Sequence, residues 1–494
     1  VKDIKHIVYL MLENRSFDNV LGWLYDDTQP PKVNMPAGSS PVFHGLKENT
    51  YFNVDKDGIR HYVQKGTGHD MNIPRADPHE EYSHVNKQLF GNEANPEPLT
   101  EAKMIGFYQD FAEFDFSLSL AGLEAIDFNA PAKEIMMTYT PEELPVLNGL
   151  ARNFAVSDYY FASVPTQTNT NRAFAACGNS LGINENNQLE SWVNNRQAAL
   201  GGAGEPYGRQ FNQKTMWNVL SDNNKNTPAD WMIYSSHDGV IKDTLKVAGY
   251  SYTKDIMEQL QGESLDGHFG YMGDFFENAK AGTLPSVCFL EPAWGGGATS
   301  LVGAQGNDYH PPTNLAPGEQ FVKSIYDALT SNRDAWEQTL FIINFDEHGG
   351  TYDHISPPWN AAQPWASDGT PEPRVFEEGF KFDRFGVRVP LILVSPHVQA
   401  STVFRAEGDT PYDHTSVIAT ILNVMDIPKE KWGLGARTAN APTFEHVFTG
   451  NTLRTDIPEI NINANGKESA ALIKSAPLND IQKRRDASLK KVNA

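Results

Sequence analysis

The sequence predicts an α/β protein built on a mostly parallel central sheet. Three observations predict it. Apolar runs of strand length recur along the chain. They lack the alternation of a half-solvated strand, so they suit strands buried on both faces. Amphipathic stretches of helical period separate them, the pattern that places helices on both faces of a sheet. The 494 residues suffice for one large domain or two or three smaller ones. With 40% hydrophobic and 21% charged residues, wholesale disorder is excluded. No apolar run approaches the length of a membrane-spanning helix. The 62 acidic and 40 basic residues give a net charge of -22, which argues against nucleic acid as the main partner and against tight docking on strongly anionic membranes.

Taken in order, residues 7–12 form the first run, which stops abruptly at Glu13-Asn14-Arg15-Ser16. Residues 154–156 lead through Asp158-Tyr159-Tyr160-Phe161 to a polar, hydroxyl-rich turn holding Thr166, Thr168 and Thr170. Residues 231–234 end in Ser235-Ser236-His237-Asp238, and 287–290 end in Glu291-Pro292. Residues 340–345 end in Asp346-Glu347-His348-Gly349-Gly350, and 389–394 end in Ser395-Pro396-His397. Residues 320–330 carry Phe321, Ile325 and Leu329 on one helical face, and 416–424 are a second helix candidate. Residues 24 to about 110, and 180–225, are rich in Pro, Gly, Asn and Asp or Gln, and are expected to be irregular, cap-like insertions. This gives a domain over 1–450. A polar extension over 451–494 ends in basic residues such as Lys483, Arg484 and Lys490. Cys177 and Cys288 make no disulfide framework; one bridge and two buried thiols both remain open. The sequence starts at Val1 without a signal pattern, and a trimmed chain is expected.

Ligands of open α/β sheets bind beyond the carboxyl ends of the strands. Here those ends carry carboxylates, hydroxyls and histidines. Adjacent carboxylates repel and raise one another's pKa, and a divalent cation removes that cost. Glu13, Asp346 and Glu347, drawn from two strands, offer hard oxygen donors suited about equally to Ca²⁺, Mg²⁺, Mn²⁺ or Zn²⁺. A threonine hydroxyl needs such a cation or an adjacent base to become a nucleophile. Asn14 and histidines would then hold phosphate oxygens and protonate a leaving group. His79, His268, His310 and His414 stand next to Pro, Gly or acidic residues. His414 also reads as part of a helix N-cap cluster, His348 and His354 as loop-ordering residues, and Glu291 as either site or structure. His6, His61, His69 and His84 read as surface or local hydrogen-bonding residues.

These residues sit in recognisable motifs. Residues 4–18, through Glu13-Asn14-Arg15-Ser16-Phe17-Asp18, resemble the opening signature of the bacterial phosphoesterase family, which holds phosphatidylcholine-type phospholipases C and the Francisella-type acid phosphatase. Ser163-Val164-Pro165-Thr166-Gln167-Thr168-Asn169-Thr170-Asn171-Arg172 resembles its nucleophile turn, and Asp308-Tyr309-His310-Pro311 its D-x-H-P step. Asp346-Glu347-His348-Gly349-Gly350-Thr351-Tyr352-Asp353-His354 is similar to its D-E-x-G-G-x-Y-D-H motif. The resemblance implies an alkaline-phosphatase-like α/β/α sandwich. It implies that Glu13, Asp346, Glu347 and Thr168 bind a metal and that Asn14 also touches the phosphoryl group. Ungapped matching puts the nucleophile at Thr168; Thr166, which follows Pro165, is the alternative. The family's Gly-Pro is Thr166-Gln167 here, and its later proline is Thr170. His79 and His310 resemble phosphate-binding histidines, and His268 is the candidate for a third.

The implied activity is a metal-dependent phospholipase C. Through a phosphothreonine it would release diacylglycerol and phosphocholine from a phospholipid met in transient contact with a membrane surface. An acid phosphatase acting on monoesters is the alternative, and a metal-stabilised binding module or toxin component with a degenerate site is the non-enzymatic one. The 11% aromatic content offers rings that can box a quaternary ammonium. The family's members are mostly exported, so a secreted or periplasmic location is expected.

Overall fold

The computed structural model describes residues 3–113, 132–184, 186, 211–236, 251–294, 306–365, 372–373 and 376–462. Its central sheet comprises β1 (His6–Leu12), β2 (Val33–Met35), β3 (Ala155–Ser157), β4 (Trp231–Ser235), β5 (Phe269–Tyr271), β6 (Val287–Glu291), β7 (Thr339–Phe345), β8 (Leu391–Val394) and β9 (Thr402–Phe404). The strand order is β2-β9-β3-β8-β7-β1-β6-β4-β5. Every pairing is parallel except those of β8, which runs antiparallel to both β7 and β3. The fold is therefore α/β with a mostly parallel sheet, as the apolar runs predicted. All seven residues of β7 are buried, and β1 is buried from Ile7 onward. Each such Leu, Ile, Val or Phe contributes about 1.5–3 kcal/mol relative to exposure.

The helices that bear on the site are α1 (Phe17–Leu21), α2 (Tyr82–Phe90), α3 (Phe107–Ala112), α4 (Pro145–Asn153), α5 (Thr168–Cys177), α6 (Tyr252–Ile256), α7 (Met272–Ala281), α8 (Ala316–Ser331) and α9 (His414–Val424). Both sequence-read helices, α8 and α9, are present, each extended toward its N-terminus. Glu319 of α8 joins two elements. It accepts from the backbone N–H groups of Val146 (2.6 Å) and Leu147 (2.9 Å), at the start of α4, and from the Tyr309 hydroxyl (2.8 Å). It thereby satisfies amides that a helix N-terminus leaves open and fixes the residue beside His310.

Several expectations are corrected. Residues 24–110 are not merely irregular. They supply the edge strand β2, two small strands paired at Phe52–Val54 and Arg60–Tyr62, and helices α2 and α3. Val85, Leu89, Phe107 and Phe111 from those helices build a second apolar cluster. Within 180–225, a helix spans Met216–Asp222 and is closed by a capping box at Thr215, while 187–210 lies outside the described residues. The run read as 389–394 becomes a strand only at Leu391, after Pro390, which has no N–H to give a ladder. Residues 451–462 lie against α8, with Ile460 buried and the Tyr326 hydroxyl donating to the Pro458 carbonyl at 2.8 Å; the basic residues after 462 lie outside the described residues. Cys177 and Cys288 are both free and buried, and burial raises both thiol pKa values. Among the described residues no helix is long and apolar enough to cross a membrane.

Candidate active site

Adjacent parallel strands bring the two acidic motifs together. Leu12 and Phe345, the last residues of β1 and β7, are register partners. Glu13-Asn14 and Asp346-Glu347 therefore leave the sheet side by side, all four fully buried. Asn14 turns in the left-handed region (φ 56°), which asparagine tolerates better than most residues. Its backbone N–H donates to Asp346 Oδ1 at 3.1 Å. The same oxygen accepts the Glu347 N–H at 2.7 Å, and Glu347 Oε2 accepts the Gly349 N–H at 2.6 Å. Gly349 is left-handed too (φ 57°), and a Cβ there would lie 2.6 Å from the Asn14 Cβ. Only glycine permits this approach.

One cation answers the carboxylates directly. Arg172 of α5 donates from Nη2 to Glu13 Oε1 (2.8 Å) and from Nε to Asp346 Oδ2 (3.0 Å). Burial works against its charge, but Asp346 and Glu13 outweigh burial and hold the guanidinium ionised. The balance stays negative. Burial, then the Asp346 charge, push the Glu13 pKa well above the carboxylate range despite Arg172. Three buried oxygens, Glu13 Oε2, Asn14 Oδ1 and Glu347 Oε1, have no hydrogen-bond partner among the described residues. Leaving such atoms unsatisfied costs about 1–3 kcal/mol each. Unpartnered hard oxygens on a group with excess negative charge fit a divalent cation, which accepts lone pairs and neutralises charge at once. Glu13, Asn14 and Glu347 would hold it, with Asp346 aligned by its backbone contacts.

The hydroxyl-rich turn arrives on the same side. Thr168, 1% exposed, opens α5 one helical turn before Arg172, and so shares the face that meets Glu13 and Asp346. Gln167 is the N-cap and gives no side-chain cap bond. Thr166 lies in the preceding turn, buried, with its hydroxyl unpartnered among the described residues. The turn is anchored from behind by α9. His414 accepts the Ser163 N–H at Nδ1 (3.3 Å) and donates from Nε2 to the Phe345 carbonyl (3.0 Å), just before Asp346. Asp413 accepts from the Ser163 hydroxyl (2.9 Å) and from Arg437 Nε (3.0 Å). The segment is a helix-cap cluster, but its N-cap is Asp413, which closes a capping box with Ser416, rather than Thr415 or Ser416, which lie inside α9.

His310 is the histidine that reaches the group. Its Nδ1 donates to the Pro311 carbonyl (2.5 Å), which leaves Nε2 to accept from Asn14 Nδ2 (2.9 Å). Burial disfavours its charged form, but Asp77 and Asp308 overcome that and the net pKa displacement is upward. Asn14 Nδ2 also donates to Glu80 Oε2 at 2.5 Å. His79 adjoins Glu80 and packs its carbonyl close to Gly350, but its ring stacks on His84 with 3.9 Å between centroids. His268 is not brought to the group. Its ring stacks on Trp231 at 3.7 Å, and its Nδ1 bonds the Trp231 carbonyl at 2.8 Å. Trp231 begins β4, at the amino edge of the sheet, while Glu13 leaves the carboxyl edge. Glu291 is structural: it accepts the Tyr252 and Thr253 N–H groups at 3.0 and 2.7 Å and so closes the start of α6.

Sequence reading missed Arg172, Glu80 and the anchoring role of His414. The signal for Arg172 was its spacing of four from Thr168, which places both on one helix face. Glu80 directly follows His79, but nothing in the sequence ties it to Asn14.

Comparison with known proteins assigns the class: the chain is a phosphoric ester hydrolase. It belongs to the phosphoesterase family, whose model matches residues 4–428. It is 31% identical to non-specific phospholipase C6 of Arabidopsis thaliana over 98% of this chain and 78% of that protein. Identity with phospholipase C B of Mycobacterium tuberculosis is 25%, over 86% of this chain and 74% of that protein. Among solved structures, a protein of the alkaline phosphatase superfamily from Vibrio parahaemolyticus aligns with 12% identity and a TM-score of 0.29, covering 62% of this chain and 65% of that one.

Proposed function

We propose that this enzyme is a metal-dependent phospholipase C that cleaves phosphatidylcholine-type diesters through a phosphothreonine at Thr168. The observation that carries the reading is the docking of α5, one turn after Thr168, onto Glu13 and Asp346 through Arg172. The names of its plant and mycobacterial relatives support the substrate class. A divalent cation held by Glu13, Asn14 and Glu347 would favour the ionised Thr168 hydroxyl and offset charge on the phosphoryl oxygens. The ionised Thr168 Oγ attacks phosphorus in line. The P–O bond to glycerol breaks, and the departing oxygen takes a proton from the His310 imidazolium, giving diacylglycerol. His310 then takes a proton from water, and the resulting hydroxide attacks the phosphothreonine. Phosphocholine leaves and Thr168 is restored ionised. Asn14 Nδ2 exchanges its bond to His310 Nε2 for one to a phosphoryl oxygen, which frees Nε2 to carry the proton, and positioning with charge stabilisation supplies most of the rate.

The test is turnover of a phosphorylcholine diester against a phosphomonoester. Thr168→Ala is expected to lose turnover by about 10³-fold or more with unchanged circular dichroism. An inactive Thr166→Ala beside an active Thr168→Ala would move the nucleophile. Preference for the monoester would select a phosphatase instead.

A further inference from the structure

Outside the carboxylate cluster, His79, His84 and Asp110 converge from three separate places: the loop before α2, α2 itself and α3. Their ligand-capable atoms lie within 4.8 Å of one another. His84 Nδ1 is 2.7 Å from Asp110 Oδ1, and His79 Nδ1 is 3.9 Å from Asp110 Oδ2. The imidazoles lie face to face with 3.9 Å between centroids. Asp110 is 1% exposed, while the two histidine side chains keep 22% and 27% exposure, so the group has a buried anionic floor and a wet rim. Gln88 Nε2 fixes Asp110 Oδ2 at 2.8 Å. Lys87 Nζ is the competing cation at 3.8 Å, but it is drawn off by Glu113, 2.5 Å away on the exposed side.

We propose that His79, His84 and Asp110 form a second metal site, for a borderline divalent transition ion of the Zn²⁺ type. Two imidazoles and one carboxylate are the donor set such ions prefer, with water completing the shell. The Glu13, Asn14 and Glu347 oxygens form the harder set, so the two sites differ in ion as well as in place. The site goes beyond the phospholipase reading and does not depend on it. Occupancy would also reach the first site. Gln88, bonded to Asp110, donates to the His79 carbonyl (2.8 Å), and its Oε1 is 2.7 Å from His348 Nε2, next to Glu347.

The experiment strips the full chain with chelator, dialyses it against Zn²⁺ and counts bound metal by elemental analysis. His84→Ala and Asp110→Asn are each expected to lose one equivalent relative to the parent. Glu347→Gln is expected to retain the equivalent that depends on His84. Unchanged metal content in His84→Ala overturns the site. So does a parent that binds a single equivalent, removed by Glu347→Gln. Should Asp110→Asn fail to fold, His84→Ala decides alone, because His84 keeps 27% exposure and is not part of the apolar cluster built by α2 and α3. Co²⁺ absorption lost in His84→Ala but kept in Glu347→Gln gives a second readout, independent of activity.

Discussion

The site rests on contacts that tolerate almost no added volume. Gly349 and Asn14 are both left-handed, and their chains touch where the two acidic motifs meet. Gly349→Ala forces a methyl into that contact and strains a positive φ, so Asn14 must move or the loop must open. We expect about 1–3 kcal/mol of lost stability in urea and a fall in kcat of about 10-fold or more. Arg172 gives a sharper test, because it and a divalent cation answer the same charge. Arg172→Met leaves Glu13 and Asp346 without their direct ion pair, a loss of about 3–5 kcal/mol for a buried pair broken from one side. The loss should be large in chelator and smaller when a saturating divalent cation is present. Equal losses in both conditions would remove the cation from this cluster.

Elements, rather than single side chains, decide which sequence signals could be read. β1 and β7 announced themselves because central strands buried on both faces must be continuously apolar, and their ends carry Glu13 and Asp346 in register. β2, β5 and β9, like β3, are three residues each, too short for any period to show; only β3 was marked, by the apolar run 154–156. The same limit explains His268. Its position between apolar runs says nothing about which edge of the sheet it reaches, and packing on Trp231 took it to the amino edge. The turn before α5 was legible as chemistry but not as mechanics. Its support comes from α9, about 250 residues later, where His414 ties Ser163 to Phe345. His414→Leu leaves that N–H and that carbonyl unpaired, at about 1–3 kcal/mol each. We expect kcat to fall more than KM rises, since the turn and Asp346 lose a common anchor. Ser163→Ala removes a hydroxyl that donates to Asp413 and lies 3.0 Å from His414 Nδ1 but keeps the backbone N–H bond to His414, and should cost about 1 kcal/mol by the same melts.

For the whole molecule, the long excursion after α1 is part of the folded body, and one of its histidines makes that measurable. His44 lies 3.8 Å from Asp158, its carbonyl accepts Arg388 Nη1 at 2.8 Å, and its N–H donates to Asp158 at 2.6 Å. Asp158 holds Arg405 as well, at 2.7 Å, so one carboxylate at the end of β3 gathers the excursion, the sheet and the segment after β9. Burial lowers the His44 pKa most; Asp158 opposes it, Arg405 and Arg388 add to it, and the result is about 4 against an ordinary 6.5. Between those values the unfolded chain binds a proton that the folded chain refuses. Stability is therefore full above pH 6.5 and is lost as pH falls toward 4. The shift corresponds to about 1–3 kcal/mol once partial exposure is allowed for. Unfolding free energies from urea melts at pH 7 and pH 5 should differ by about half of that amount in the parent, beyond any slope left in His44→Gln, which cannot take the proton. If the two proteins lose stability in parallel over this window, the excursion is not held to the sheet through a neutral His44.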